Sequence, residues 1–303
     1  MRRREIGKDR GLRFRMFLVM LALGGVYLFF VSFMMALGID ILLVGVFAAI
    51  MLGVQYFASD KLVLMSMGAK VVSADAQPHL HSIVDRLAAQ AEIPKPKIAV
   101  VDSDVPNAFA TGRNPKNSVI CVTSGIMNRL ENSELEAVLA HELAHVKNRD
   151  VMVITLASFF ATLAALLMRM LFWMSLFGGM GGRNRNGGSA MAAFMVAYVV
   201  SVLVYFLATL LILTLSRYRE YAADRGGAMI TGRPSQLASA LMKITGSISR
   251  IPAKDLRQME TANALCIVSA LKGESLAGLL ASHPPMRKRV ERLQKLEQEM
   301  ENQ

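Results

Sequence analysis

The chain has 303 residues, of which 53% are hydrophobic, and its mean hydropathy is +0.40, too apolar for an ordinary water-soluble domain. The net charge of +11 comes without interleaved aromatic and basic residues, which excludes a nucleic-acid partner. Cys121 and Cys266 have no metal-like spacing and read as small buried apolar residues, which excludes a disulfide scaffold.

Residues 1–57 read as a basic tail followed by a transmembrane hairpin. Arg2, Arg3, Arg4, Lys8, Arg10, Arg13 and Arg15 precede an apolar run over 16–37, and a second run covers 41–57. A third run covers 151–168 and continues past Arg169 through Leu171, Phe172 and Trp173; a fourth covers 190–215. Each has the roughly 17–25 residues needed to cross about 30 Å of hydrocarbon. The first run is too long for a signal peptide and has no clean cleavage site, so it reads as a retained anchor. The turn near Gly38-Ile39-Asp40 has no Lys or Arg, and the loop between the third and fourth runs carries only Arg183 and Arg185. Four spans with that asymmetry place both termini and the middle segment on the cytoplasmic side. The basic excess there can hold the soluble part against anionic lipid. Almost no ionisable residue falls within the spans, which argues against a transporter.

The segment 58–150 is soluble in composition. A helix is expected over 74–91, with Leu80, Ile83, Val84 and Leu87 on one face. His79 and His81 near its start read as surface histidines. Strands are expected over 97–101, 108–111 and 118–123, with a turn at 113–117, forming a small sheet. A helix then starts at a capping box of Ser133 and Glu136 and runs to about Asn148. It carries His141-Glu142-Leu143-Ala144-His145, an H-E-x-x-H pattern. Positions four apart share a helix face, so the two imidazoles can grip one Zn²⁺ while Glu142 stands as general base beside it.

A catalytic zinc site takes three protein ligands and keeps a position open. The second membrane hairpin, 151–215 with a glycine-rich tip over 178–189, must return the chain to the side it left. The third ligand is therefore expected just after it, in the segment 216–303. Glu220 is five residues past Leu215 and is the expected ligand. Asp224, one turn later, would accept the remaining N–H of a ligand histidine. Further helices are expected over 234–244 and 285–300, with an apolar stretch over 264–271.

The H-E-x-x-H motif, a membrane hairpin and then Glu220-x-x-x-Asp224 resemble the bacterial HtpX-like membrane zinc metalloproteases, relatives of the CAAX prenyl endopeptidases. Pro106-Asn107-Ala108-Phe109-Ala110-Thr111-Gly112 and Ser282-His283-Pro284-Pro285 with Arg289 are similar to two further motifs of that family. The resemblance implies a four-span helical membrane protein with a cytoplasmic α+β zincin-type domain in a bacterial inner membrane, binding one Zn²⁺ per chain. It implies Asn107 and Ala108 as substrate-backbone contacts on an edge strand, His283 as a hydrogen-bond donor to the oxyanion, and Arg289 as the residue orienting that wall of the cleft. It also implies polypeptide substrates, notably damaged membrane proteins, and a role in quality control under stress. A prenyl-protein endopeptidase and a non-catalytic zinc-containing membrane scaffold are the alternative readings.

Overall fold

A computed structural model describes residues 9–36, 41–178, 187–248 and 283–302. The basic residues before position 9, the turn at 38–40, the loop tip at 179–186, the apolar stretch 264–271 with Cys266, and Ser282 lie outside the described residues. The chain divides into two compact units, Met1–Gln55 with Ile154–Leu215, and Tyr56–Val153 with Ser216–Gln303.

The first unit is helical. It holds helix α1 (Arg10–Ala36), most of α2 (Ile41–Ser66), and the apolar parts of α6 (Asp150–Gly178) and α7 (Gly187–Thr231). Phe30, Met34, Ala164 and Val204 pack together inside it, and the Tyr27 hydroxyl donates to the Ala157 carbonyl. Large side chains such as Leu28, Leu42 and Phe206 face outward, as lipid-facing residues do. Among the described residues, α1 and Met195–Thr231 are the helices long and apolar enough to cross a membrane by themselves. Helix α7 already begins at Gly187, within the expected loop, and continues unbroken beyond Leu215 to Thr231.

The second unit is built on a four-stranded mixed sheet of order β1-β2-β4-β3: β1 (Lys70–Val71), β2 (Lys97–Val101), β3 (Ala108–Thr111) and β4 (Val119–Thr123). β2 and β4 are parallel, while β1 and β3 are antiparallel edge strands. Every residue of β4 is buried, because it is central and covered on both faces. One face packs Ile98, Ile120 and Val122 against helices α3 (Pro78–Ala91) and α5 (Asn132–Asn148). The other packs Ala99, Phe109 and Cys121 against Val63, Leu64, Met67 and Ala69. Helices α8 (Pro234–Ile248) and α9 (Met286–Glu301) complete the first layer through Leu237, Leu241, Leu293 and Leu296. α5 is buried on several faces, since α3, α8 and β3 all pack on it.

Several boundaries differ from the sequence reading. α3 starts at Pro78 rather than 74, because proline suits the first helical turn. α5 starts two residues earlier than expected. Its capping box is Glu131 and Glu134, whereas Ser133 donates to Gln236 and Glu136 pairs with Arg86. Glu134 is buried, held by Ser239 and Lys243 on α8, which fixes the helix start there. β1 and the short helix α4 (Ser124–Arg129) were not expected. His79 pairs with Asn132, and His81 with the Val72 carbonyl.

The link from β4 to α4 anchors the start of β3. The fully buried Thr123 hydroxyl accepts the Asn107 N–H (2.9 Å) and the Ile126 N–H (3.2 Å) and donates to the Val105 carbonyl (2.8 Å). Thr123→Val keeps the shape and strands these backbone groups. It should destabilise the protein by about 2–3 kcal/mol, read as a lower midpoint in thermal unfolding of the detergent-solubilised chain; an unchanged midpoint would refute this account of the anchor.

Candidate metal centre

Helical spacing puts His141 and His145 one turn apart on α5, with their rings edge to face and 4.7 Å between centroids. Their Nε2 atoms lie 3.1 Å apart. Glu220 on α7 faces both: Oε1 is 3.4 Å from His145 Nε2, and Oε2 is 3.7 Å from His141 Nε2. The ligand atoms of His141, His145 and Glu220 all fall within 4.8 Å of one another.

The hydrogen bonds behind the rings decide which nitrogens face inward. Carboxylates only accept, so His145 Nδ1–H donates to Asp150 Oδ2 at 2.7 Å, which leaves its Nε2 as a lone pair. His141 Nδ1 stands 3.1 Å from Asp224 Oδ1, a charge contact that favours the same tautomer. Burial lowers the pKa of His141, which also favours the neutral ring. Burial opposes protonation of His145 as well, but Glu220 and Glu142 outweigh it and raise that pKa.

Two imidazole nitrogens and a carboxylate thus converge on one point, with Arg289 Nη2 3.4 Å from His141 Nε2. A tetrahedral ion with ligands at roughly 2.0–2.2 Å separates its donor atoms by about 3.4 Å, which matches the spacing here. The composition points the same way. The acidic side chains Glu142, Asp150, Glu220 and Asp224 are buried with only Arg219 and Arg289 as basic partners. That acidic excess favours a cation, and the donor set fits one.

Arg289 is fully buried and binds Asp224 with two hydrogen bonds, Nε to Oδ2 at 2.9 Å and Nη2 to Oδ1 at 2.6 Å. Its Nη1 is 3.2 Å from Glu220 Oε2. Burial works against its charge, but Asp224 and Glu220 raise its pKa. The structure therefore sets Arg289 behind the carboxylates. His283 Nδ1 lies 3.0 Å from Glu220 Oε2. Ala108 opens the edge strand β3, and Asn107 precedes it with its carbonyl accepting the Thr123 N–H at 2.9 Å. A small cavity of about 10 Å³ lies beside His145, between Ala110 and Thr111 of β3 and Val146, Arg149 and Met152.

Sequence reasoning missed two features. Asp150 and its partner Arg219 were not picked out, although Asp150 is only five residues past His145. The other is the glycine pair Gly226-Gly227 on α7. A Cβ on Gly227 would sit 2.8 Å from His141 N and 2.9 Å from His141 Cα, and one on Gly226 would sit 2.8 Å from Ala144 Cβ. Here α7 meets the backbone of α5 directly.

A model of peptidase family M48 matches residues 74–297. A protease HtpX homolog from Moorella thermoacetica is 54% identical over 300 residues, covering 99% of both chains. A protease HtpX homolog 1 from Streptomyces coelicolor is 47% identical over 293 residues, covering 96% of this chain and 95% of the relative. The crystal structure of S. mikatae Ste24p shares the fold, with a TM-score of 0.59 at 18% identity over 93% of this chain and 66% of that one.

Two outcomes follow from this geometry. Gly227→Ala must part the two helices, because the obstacle is backbone. It should destabilise the protein by about 1–3 kcal/mol and weaken metal binding measured by chelator competition, whereas alanine at an unhindered helix position would stabilise by about 1 kcal/mol. Burial pushes the Glu142 carboxyl from 4.5 up to about 7, with Glu220 adding to the shift and His145 and an Ala110 backbone hydrogen bond opposing it. Its contribution to stability is complete below pH 4.5 and is lost as pH rises through 7, because the unfolded chain releases its proton first. In metal-free protein Glu142→Gln should therefore gain on wild type by about 3 kcal/mol between pH 4 and 8; paired melting curves across that range check the sign.

Proposed function

The chain belongs to peptidase family M48 and is a membrane metalloprotease, and from that premise we propose that it is a zinc-dependent endopeptidase cutting polypeptides at the cytoplasmic face of a bacterial inner membrane. The observation carrying this reading is the convergence of His141, His145 and Glu220 with Glu142 one residue away on the same helix. His141, His145 and Glu220 hold one Zn²⁺ per chain. Once bound, the ion supplies Lewis acidity toward water and a peptide carbonyl. Glu142 takes the proton of the attacking water and returns it to the leaving amine. A carboxyl poised near neutrality suits both steps.

His283 donates a hydrogen bond to the oxyanion, as its position beside Glu220 supports. Asn107 and Ala108 receive an extended substrate along β3, an edge strand whose Ala110 and Thr111 share a small cavity with His145. Asp224 holds the His141 proton, and Arg289 holds Asp224 and Glu220 in place. Four membrane spans, formed by the apolar parts of α1, α2, α6 and α7, anchor the catalytic segments 58–150 and 216–303 with both termini cytoplasmic. Support comes from the outward-facing apolar residues of these helices and the basic bias of the segments between them. Misfolded or misassembled membrane proteins are the expected substrates, with stress as the occasion.

The relatives named as HtpX proteases favour this reading over prenyl-protein processing. A structural zinc scaffold needs four closing ligands, and the candidate group among the described residues has three. The test compares wild type with Glu142→Gln on a casein substrate, with zinc measured on both. Wild type should cleave and stop when chelator is added; Glu142→Gln should keep its zinc and lose about 10²–10⁴-fold in rate. His145→Ala and Glu220→Ala should lose the zinc. Equal rates for wild type and Glu142→Gln would defeat the catalytic assignment.

A further inference from the structure

Each histidine of the centre is backed by a carboxylate, and each carboxylate by an arginine. Asp224 and Arg289 stand behind His141. Behind His145 stand Asp150 and Arg219, which no family motif above includes. α5 ends at Asn148, and Arg149 takes a left-handed conformation with φ of 57° that turns the chain back. That turn delivers Asp150, the first residue of α6, to His145 Nδ1 at 2.7 Å. Arg219 pairs with the other oxygen of Asp150, and its Nη2 donates to the Asn148 carbonyl at 3.0 Å. It thereby holds both the end of the histidine helix and the carboxylate. Asp150 and Arg219 are each 6% exposed.

A buried ion pair of this kind is weak evidence for stability, because desolvation offsets most of the attraction. Its geometry has another consequence. The imidazole of a ligand histidine can present either nitrogen, and a charged acceptor on one nitrogen fixes the lone pair on the other. Arg219 is also the residue next to Glu220, so one side chain ties the seat of His145 to the segment supplying the third ligand. Resting on the zinc reading above, we propose that Asp150, held by Arg219, is a positioning residue that keeps the His145 proton on Nδ1 and aims Nε2 at the metal.

The experiment uses the full chain in detergent on a Glu142→Gln background, which prevents self-cleavage. Zinc affinity is read by competition with a chromophoric chelator, and the ligand field by the visible absorption of bound Co²⁺. Asp150→Ala should weaken zinc binding by about 10–100-fold and shift the Co²⁺ bands. Asp150→Asn, which retains an oxygen acceptor, should recover most of the affinity. A purely structural role would lower the melting temperature of the metal-free protein and leave the Co²⁺ spectrum of the folded fraction unchanged, and that result overturns the proposal. If Asp150→Ala does not fold, Arg219→Met decides: weaker binding with shifted Co²⁺ bands supports the proposal, and unaltered binding sinks it. A Glu142→Gln parent that binds no zinc overturns the metal reading together with this one; a parent that binds one zinc, with variants equal to it, overturns the role of Asp150 alone.

Discussion

At Gly227 the α7 helix touches the backbone of His141 with no side chain between them. The rest of the centre depends on that contact. Glu220, Asp224 and Gly227 lie on one α7 face at helical spacing of four and three residues, so the contact at Gly227 sets how far both carboxylates stand from α5. A carboxylate side chain is short. With a methyl group at the crossing, neither Glu220 nor Asp224 would come within the 3.1–3.7 Å of the imidazoles seen here. Packing and chemistry are therefore one constraint: the residue that contributes least surface determines whether distant ligands meet.

That closeness concentrates charge in a dry place. Arg289, with no solvent exposure, ties Asp224 and Glu220 together, and Arg219 does the same for Asp150. Burial is the main reason the Glu142 carboxyl is pushed up to about 7, and the neighbouring Glu220 carboxylate adds to the shift. The acidic excess makes a divalent cation welcome. Electrostatic frustration in the metal-free protein and affinity for the metal are two sides of one arrangement.

The parts of the centre that were legible in the sequence are those governed by local periodicity. His141 and His145 share a face because they are four apart, and Glu220 and Asp224 for the same reason. Their meeting was inferable because the apolar stretch 151–215 was expected to return the chain to the side it left. The strands over 97–101 and 108–111 showed in their β-branched or alternating pattern, and their bounds agree with the structure. What escaped notice depends on partners far along the chain. Asp150 gains its meaning from Arg219, 69 residues later. The two glycines of α7 read locally as weak helix formers, and only the approach of α5 explains them. The capping box shifted because Glu134 is anchored by Lys243 on another helix.

β3 is short and stands at one end of the sheet, paired to β4 on one side and bordering a small cavity at His145. A strand edge offers amides and carbonyls, which are the same for every sequence. Whatever docks there must arrive already stripped of its own secondary structure. A well-folded domain keeps those groups occupied and passes by; a frayed segment does not. A polypeptide docked along β3, as proposed above, would be selected by conformational availability, so the instability of a client chain, more than its amino-acid identity, would govern its capture.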